Sequence, residues 1–329
     1  MNRELVISEV LKAGRQSLES RDYVEIVVPR IVRATGACEN INTLFEVSSN
    51  KDLNWFGHSA YLAQTGQLYL EALVPKLKKV YCYGPSFRAE EAVDDRHLTE
   101  FAMMEIEFAG DFTKLLQEIE AFIKDIARHI VEVNDSRDLG LNQETVDRLK
   151  SCPEVFAKLT YDQAIEKLKE MGEQINWGDD ISSKREAMLV ESIGNQPLFL
   201  THFPDPMVDH GQEIEVEKFF NMIPDPQTPG RVLSSDLILP FGGESVGSAA
   251  RVHLAEEMVS RLKNSRMFQR LEKMGGSLDD FAWYIERLKE GSVPHAGCGF
   301  GLARIIQWVM GVEDIKEAVS FPSNKARII

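Results

Sequence analysis

Strand-like runs joined by hairpin-scale turns, with long amphipathic helices gathered towards the ends, restrict this chain to an α+β fold built on an antiparallel sheet. The spacing of Leu5, Ile7, Val10, Leu11 and Leu18 predicts an opening helix with one packed face. Residues 24–32 read as a strand, and Pro29 within it places that strand at an edge or an interface. Short strands are expected at 43–47 and 79–83, and a further strand at 101–109 with one face lined by acids. Residues 114–133 form a long helix by their apolar period. Residues 135–195 are more charged and helical. Strands follow at 197–201, 214–222 and 232–239, helices at 252–274 and 279–288, then a glycine-rich strand at 297–301 leading into a helix at 302–310. The economical division is one catalytic domain over 1–329, with a helical insertion at about 135–195.

Charge and cysteine usage narrow the function classes. Lys plus Arg number 37 against 52 for Asp plus Glu, a formal charge of −15. A field of that sign repels a polyanion, so the totals argue against nucleic acid as a partner. Cys38, Cys82, Cys152 and Cys298 lie far apart without a CxxC pair, which argues against structural zinc and for a reducing compartment. No run reaches the ~18 apolar residues of a membrane span, and the N-terminus lacks a signal-peptide pattern. A cytoplasmic protein is expected.

Three segments carry candidate chemistry. FRAEEAVDDRHLTEF, residues 87–101, sets Arg88, Glu90, Arg96 and His97 between two aromatics. Two arginines from adjacent strands can grip a phosphate chain, because the guanidinium fork bonds phosphate oxygens in pairs; the same residues also suit a solvated hairpin with surface ion pairs. HAGCGFGLARI, residues 295–305, offers Gly297, Gly299 and Gly301 for close approach of a ligand to the backbone, with Arg304 opening the next helix. DLILPFGGESVGSAAR, residues 236–251, places Asp236, Glu244 and Arg251 around a glycine turn, either a magnesium site beside an anion site or a salt-bridged turn.

Together these segments resemble class II aminoacyl-tRNA synthetases of the aspartyl and asparaginyl subgroup. FRAE…RHLTEF resembles motif 2, HAGCGFGLAR resembles motif 3, and Pro29 falls where motif 1 has its proline. LAQTGQLYLEAL, LTYDQAIEKL, WGDD and WYIERLKEGSVPHAG are similar to asparaginyl-type sequence, and the likeness runs in order along nearly the whole chain. The resemblance implies that Arg88 contacts the α-phosphate of ATP, that Glu90 accepts from the adenine amino group, and that Phe101 stacks on adenine. It implies that Arg96, His97 and Arg304 hold the β- and γ-phosphates and that Asp236 and Glu244 ligate Mg2+. Arg251 would read the amino-acid side chain and Gln67 would lie near the amino acid; Glu71 is left open between ligand contact and support.

Departures from the pattern qualify this. Ala303 replaces an acid before the motif 3 arginine, Leu70 replaces a lysine of aspartyl enzymes, and Cys298 replaces an aromatic. The opening helix begins within the first residues, leaving no room for an N-terminal OB-fold, so the expected architecture is that of the free-standing archaeal-type asparagine synthetases of this family. The leading expectation is activation of aspartate on ATP and amidation by ammonia, without tRNA. The alternatives are a paralogue that passes aspartate or asparagine to another acceptor (a tRNA end, a carrier protein, a protein lysine or a small amine), or an amino-acid sensor without turnover. A homodimer is implied, with the motif 1 helix and the Pro29 strand at its interface.

Overall fold

A computed structural model describes residues 1–34, 41–216 and 218–328. Cys38 and Glu217 lie outside them. An eight-stranded sheet organises the chain, in the order β1-β4-β5-β10-β9-β8-β7-β6. Its strands are β1 (Val24–Glu25), β4 (Lys79–Phe87), β5 (Glu100–Ala109), β6 (Ala157–Thr160), β7 (Leu198–Thr201), β8 (Ser234–Leu239), β9 (Gly243–Arg251) and β10 (His295–Gly301). All neighbours are antiparallel except β1 with β4 and β6 with β7 at the two edges. A separate ribbon pairs β2 (Ile31–Val32) with β3 (Tyr61–Leu62).

Helices α1 (Arg3–Glu19) and α4 (Phe112–Val133) pack on one face of the sheet. The α4 helix starts where Asp111 accepts from the Lys114 N–H at 2.8 Å, and its Leu115, Ile119, Phe122, Ile126 and Ile130 recur at helical spacing to form the core stripe. From the sheet, Met104, Ile106, Phe108 and Phe300 answer them, with Phe300 stacked on Phe122 at 3.9 Å between ring centres. The opposite faces of β5 and β10 are therefore left to carry the site. The short helices α2 (Gln67–Glu71) and α3 (Val74–Leu77) cross beside β5. Residues 135–195 hold α5 (Gln143–Lys150), α6 (Tyr161–Glu170) and α7 (Ser183–Glu191), but also β6, which extends the main sheet.

Several expectations change. Residues 24–32 form two short pairings rather than one strand: Pro29 has no N–H to donate and Val27 is 98% exposed, so the middle joins no ladder. Residues 43–47 make one bridge at Glu46, and 214–222 make one at Met222. The helix expected at 252–274 breaks into α8 (Ala255–Asn264) and α9 (Arg266–Lys273), because Ser265 turns extended and its hydroxyl accepts from the Phe268 N–H at 3.0 Å. The helix expected from 279 starts as a 3-10 turn before α10 (Ala282–Glu290), and α11 (Leu302–Met310) follows β10 directly. GESVGSAAR, read as part of a turn, is the full strand β9.

Candidate active site

A cavity of about 520 Å3 opens over the central strands β5, β10 and β9. Gly297, Gly299 and Gly301 alternate along β10 and share its cavity face, opposite Glu107, Glu105 and Met103. Their role differs from simple backbone exposure. A side chain at Gly297 would collide with the Glu107 carboxylate, and one at Gly299 with the Met103 methyl. The glycines make room for the side chains of β5, and these shape the floor.

One end of the cavity is built around Glu107 and Arg251. The Arg251 guanidinium donates to Glu107 Oε1 at 2.8 and 3.1 Å and to the Gly297 carbonyl at 3.1 Å. Both side chains are almost wholly buried, and among the described residues Glu107 Oε2 has no hydrogen-bond partner. Burial pushes the Glu107 carboxyl up to about 7, Arg251 pulling it down and Glu71 adding to the rise. Glu71 stands behind this pair and does not line the cavity. It accepts from Gln67 at 2.6 Å, Asn221 at 2.8 Å, the Tyr284 hydroxyl at 2.5 Å and His295 at 3.1 Å. A carboxylate so fully occupied is a support, and it holds Gln67, which does line the cavity. The Thr65 hydroxyl and the Gly66 N–H both donate to Glu105, which fixes the start of α2 on the sheet.

The Glu71–His295 pair carries a testable pH signature. Burial would raise the Glu71 carboxyl, but the bond and charge of His295 hold it below the ordinary glutamate value; burial would lower His295, but the bond and charge of Glu71 hold it above the ordinary histidine value. Glu71 therefore adds stability above pH 4.5 that is lost as pH falls through its folded value. His295 adds stability below pH 6.5 that is lost as pH rises through its own. His295→Gln should cost about 1.5–3 kcal/mol in urea unfolding at pH 5 to 6.5. That difference should shrink at higher pH; a constant difference from pH 5 to 9 would mean a neutral His295 in the fold.

The other end gathers the remaining candidates. Arg88, Glu90, Arg96, His97, Phe101, Glu244 and Arg304 all line the cavity. The Arg88 guanidinium lies 5.2 Å over the Phe101 ring. Asp94 shapes the loop between β4 and β5: it accepts the N–H of Arg96 at 2.9 Å and of His97 at 3.0 Å, and its carboxylate lies 2.8 Å from His97 Nδ1. Arg304 donates to the Glu244 carbonyl, and Ala303 packs with Leu98 and Ile315 while lining the cavity beside it. Glu186, from α7, also reaches in. It lies 3.6 Å from Arg96 and accepts the Glu244 N–H at 3.2 Å, while burial, with the charge of Glu244, pushes its carboxyl up to about 7.

Asp236 and Glu244, the two carboxylates expected to ligate Mg2+, both line the cavity. Asp236 is bonded to the Lys218 ammonium at 2.6 Å, so a cation already sits on it, and among the described residues no three His, Cys, Asp or Glu side chains cluster as metal ligands. Sequence reasoning missed Glu105, Glu107, Glu186 and Lys218. The first two left a signal, since carboxylates at alternate positions of β5 marked one face. Glu186 and Lys218 left none, because only the fold brings α7 and the segment before β8 to the cavity.

Among the described residues no helix is long and apolar enough to cross a membrane. The family described as tRNA synthetases class II (D, K and N) matches residues 3–325. The asparagine–tRNA ligase of Pelotomaculum thermopropionicum is 36% identical over 317 residues, covering 96% of this chain and 67% of the relative. That of Pyrococcus abyssi is 33% identical over 321 residues, covering 97% and 67%. The asparaginyl-tRNA synthetase of Pyrococcus horikoshii, complexed with asparaginyl-adenylate, superposes with a TM-score of 0.83 at 30% identity, covering 99% of this chain and 69% of that one. The chain thus spans about two thirds of these relatives' length. Their names overturn the expectation against tRNA as a partner. Net charge is the wrong quantity for that question: beyond about 8 Å charges are screened at physiological ionic strength, so the sum says little about one contact face. With its motif residues assembled around one cavity and the family matched almost end to end, the chain belongs to the class II tRNA synthetases of the D, K and N group.

Proposed function

We propose that this chain activates asparagine as an acyl-adenylate on ATP and transfers it to the acceptor end of a tRNA. The observation that carries the choice of amino acid is the buried pair of Glu107 and Arg251 at one end of the cavity, with a carboxylate oxygen unpaired. A carboxamide complements both partners: its NH2 donates to Glu107 Oε2, and its carbonyl accepts from Arg251. An aspartate carboxylate would set a second negative charge against Glu107, with Glu71 behind it. Gln67 faces the α-amino end of the amino acid.

In the reaction, an α-carboxylate oxygen attacks the α-phosphorus of ATP and the bond to the β-phosphate breaks, releasing pyrophosphate. Arg88 neutralises charge at the α-phosphate as it builds. Arg96, His97 and Arg304 hold the two outer phosphates, and Phe101 and Glu90 receive the adenine. Magnesium enters as part of the nucleotide substrate, where it neutralises phosphate charge. The ribose hydroxyl of the tRNA end then attacks the acyl carbon and AMP leaves. The likeness to asparagine–tRNA ligases supports this acceptor in place of ammonia. A homodimer is part of the proposal, since Val24, Val27 and Ile31 expose apolar surface around Pro29.

Amino-acid-dependent exchange of pyrophosphate into ATP tests the reading. Asparagine should support exchange at least about 100-fold better than aspartate, as expected where a buried polar site discriminates, and tRNA should become aminoacylated. Exchange with aspartate alone, followed by ammonia-dependent asparagine release, would restore the synthetase reading and overturn this one.

A further inference from the structure

Lys218 holds a charge inside the cavity that the reaction outlined above does not use. Its side chain is 14% exposed, its ammonium lies 2.6 Å from Asp236 Oδ2, and it sits 3.8 Å over the centre of the Phe203 ring. Lysine, Asp236 and Phe203 all line the cavity. A long flexible side chain is held here on both sides, by an ion pair at its head and an aromatic face beside it.

The position of the pair along the sheet indicates what it faces. Asp236 is the cross-strand partner of Gly247, and directly opposed residues share a face. Gly247 and Arg251 are an even number of residues apart on β9, so they share that face too. At ~3.4 Å per residue, Asp236 lies about 14 Å along the strand from the level of Arg251 and, in the other direction, about 7 Å along β8 from Ile238, the cross-strand partner of Glu244 beyond a bulge. A side chain read by Arg251 and a triphosphate gripped beside Glu244 must therefore join between these ends, over Lys218.

We propose that Lys218 is a resident cation of the active site, whose ammonium, fixed by Asp236, binds phosphate where amino acid and nucleotide join and keeps Asp236 from taking a divalent metal. This rests on reading the cavity as an adenylate site. The chemistry is that of a compact, strongly hydrated ammonium acting as a point charge on phosphate. An ion pair that served only the fold would contribute nothing to metal or nucleotide affinity.

Two binding measurements test it without turnover. The first titrates Mn2+ alone into the full chain and follows free Mn2+ by electron paramagnetic resonance. The second titrates ATP in EDTA by calorimetry. K218M keeps the length and the contact with Phe203 and removes the charge. It should bind Mn2+ at least tenfold more tightly than the wild type, because Asp236 and Glu244 are then released to a metal. It should bind metal-free ATP at least tenfold more weakly. K218R should stay within threefold of the wild type in both. Unchanged Mn2+ affinity or unchanged ATP affinity in a K218M that keeps the wild-type circular dichroism would each overturn the proposal. If K218M does not fold, K218Q is read the same way. The Mn2+ titration contains no nucleotide, so a wild type that fails to exchange pyrophosphate would sink the activation reading without touching this result.

Discussion

Arg251→Met is expected to lower the stability of the chain by about 3–5 kcal/mol and to remove asparagine-dependent exchange. The guanidinium donates twice to Glu107 and once to the Gly297 carbonyl, and both side chains are almost wholly buried at the end of the cavity. Methionine fills similar volume but takes away the guanidinium bonded to Glu107, leaving that carboxyl buried beside Glu71 with only the more distant charge of His295 to offset it. The carboxyl must then take up a proton or unfold its surroundings. Adding Glu107→Gln should return most of the lost stability, because the carboxylate left without its guanidinium is then neutral, while exchange stays absent. Urea unfolding of the two variants decides the matter. A single variant with the wild-type midpoint would show that Glu107 is not held as an ion by Arg251.

Arg88→Ala should act in the opposite way, with a large kinetic effect and a small structural one. Removing one preorganised donor to a developing oxyanion costs about 10^2–10^3 in rate. The stacking over Phe101 at 5.2 Å is partly exposed, so its loss should cost about 0.5–1 kcal/mol. Single-turnover adenylate formation should fall in the rate constant, with the unfolding midpoint nearly unchanged. Exchange at wild-type rate would remove Arg88 from the reacting centre.

The parts of the fold that could be read in advance are those where period and packing agree. The α4 helix carries a long apolar stripe and α1 a shorter one of Val6, Val10, Ala13 and Leu18, interrupted by the buried Glu9 and Ser17, while β5 carries apolar residues on one face and acids on the other. The failures have physical causes. Ser265 breaks a helix without glycine or proline, through a hydroxyl cap that looks like any surface serine. The β9 strand is made of small residues because it lies under the cavity, so it lacks the β-branched signature of a strand. In the site, Arg88, Arg96, Arg251 and Arg304 were found through the family resemblance, since bare charge patterning left them as possible surface pairs. Glu71 was placed near the substrate, and only its full set of partners assigns it to support. Lys218 and Glu186 were out of reach because their meaning comes from what lies opposite them in space.

The bond between Glu107 and Arg251 also constrains how this chain can change its diet over evolutionary time. On the proposed reading, in which this pair recognises the amino-acid side chain, a lineage drifting towards a different amino acid must alter it. Either single replacement passes through a protein weakened by an unmatched charge in its interior, under a glycine strand that has no space to admit a new partner. Intermediates of that kind are removed before a second substitution can arrive. On that reading a fitness valley guards the amino-acid choice proposed for this chain, and changing it takes two coordinated steps rather than gradual adjustment.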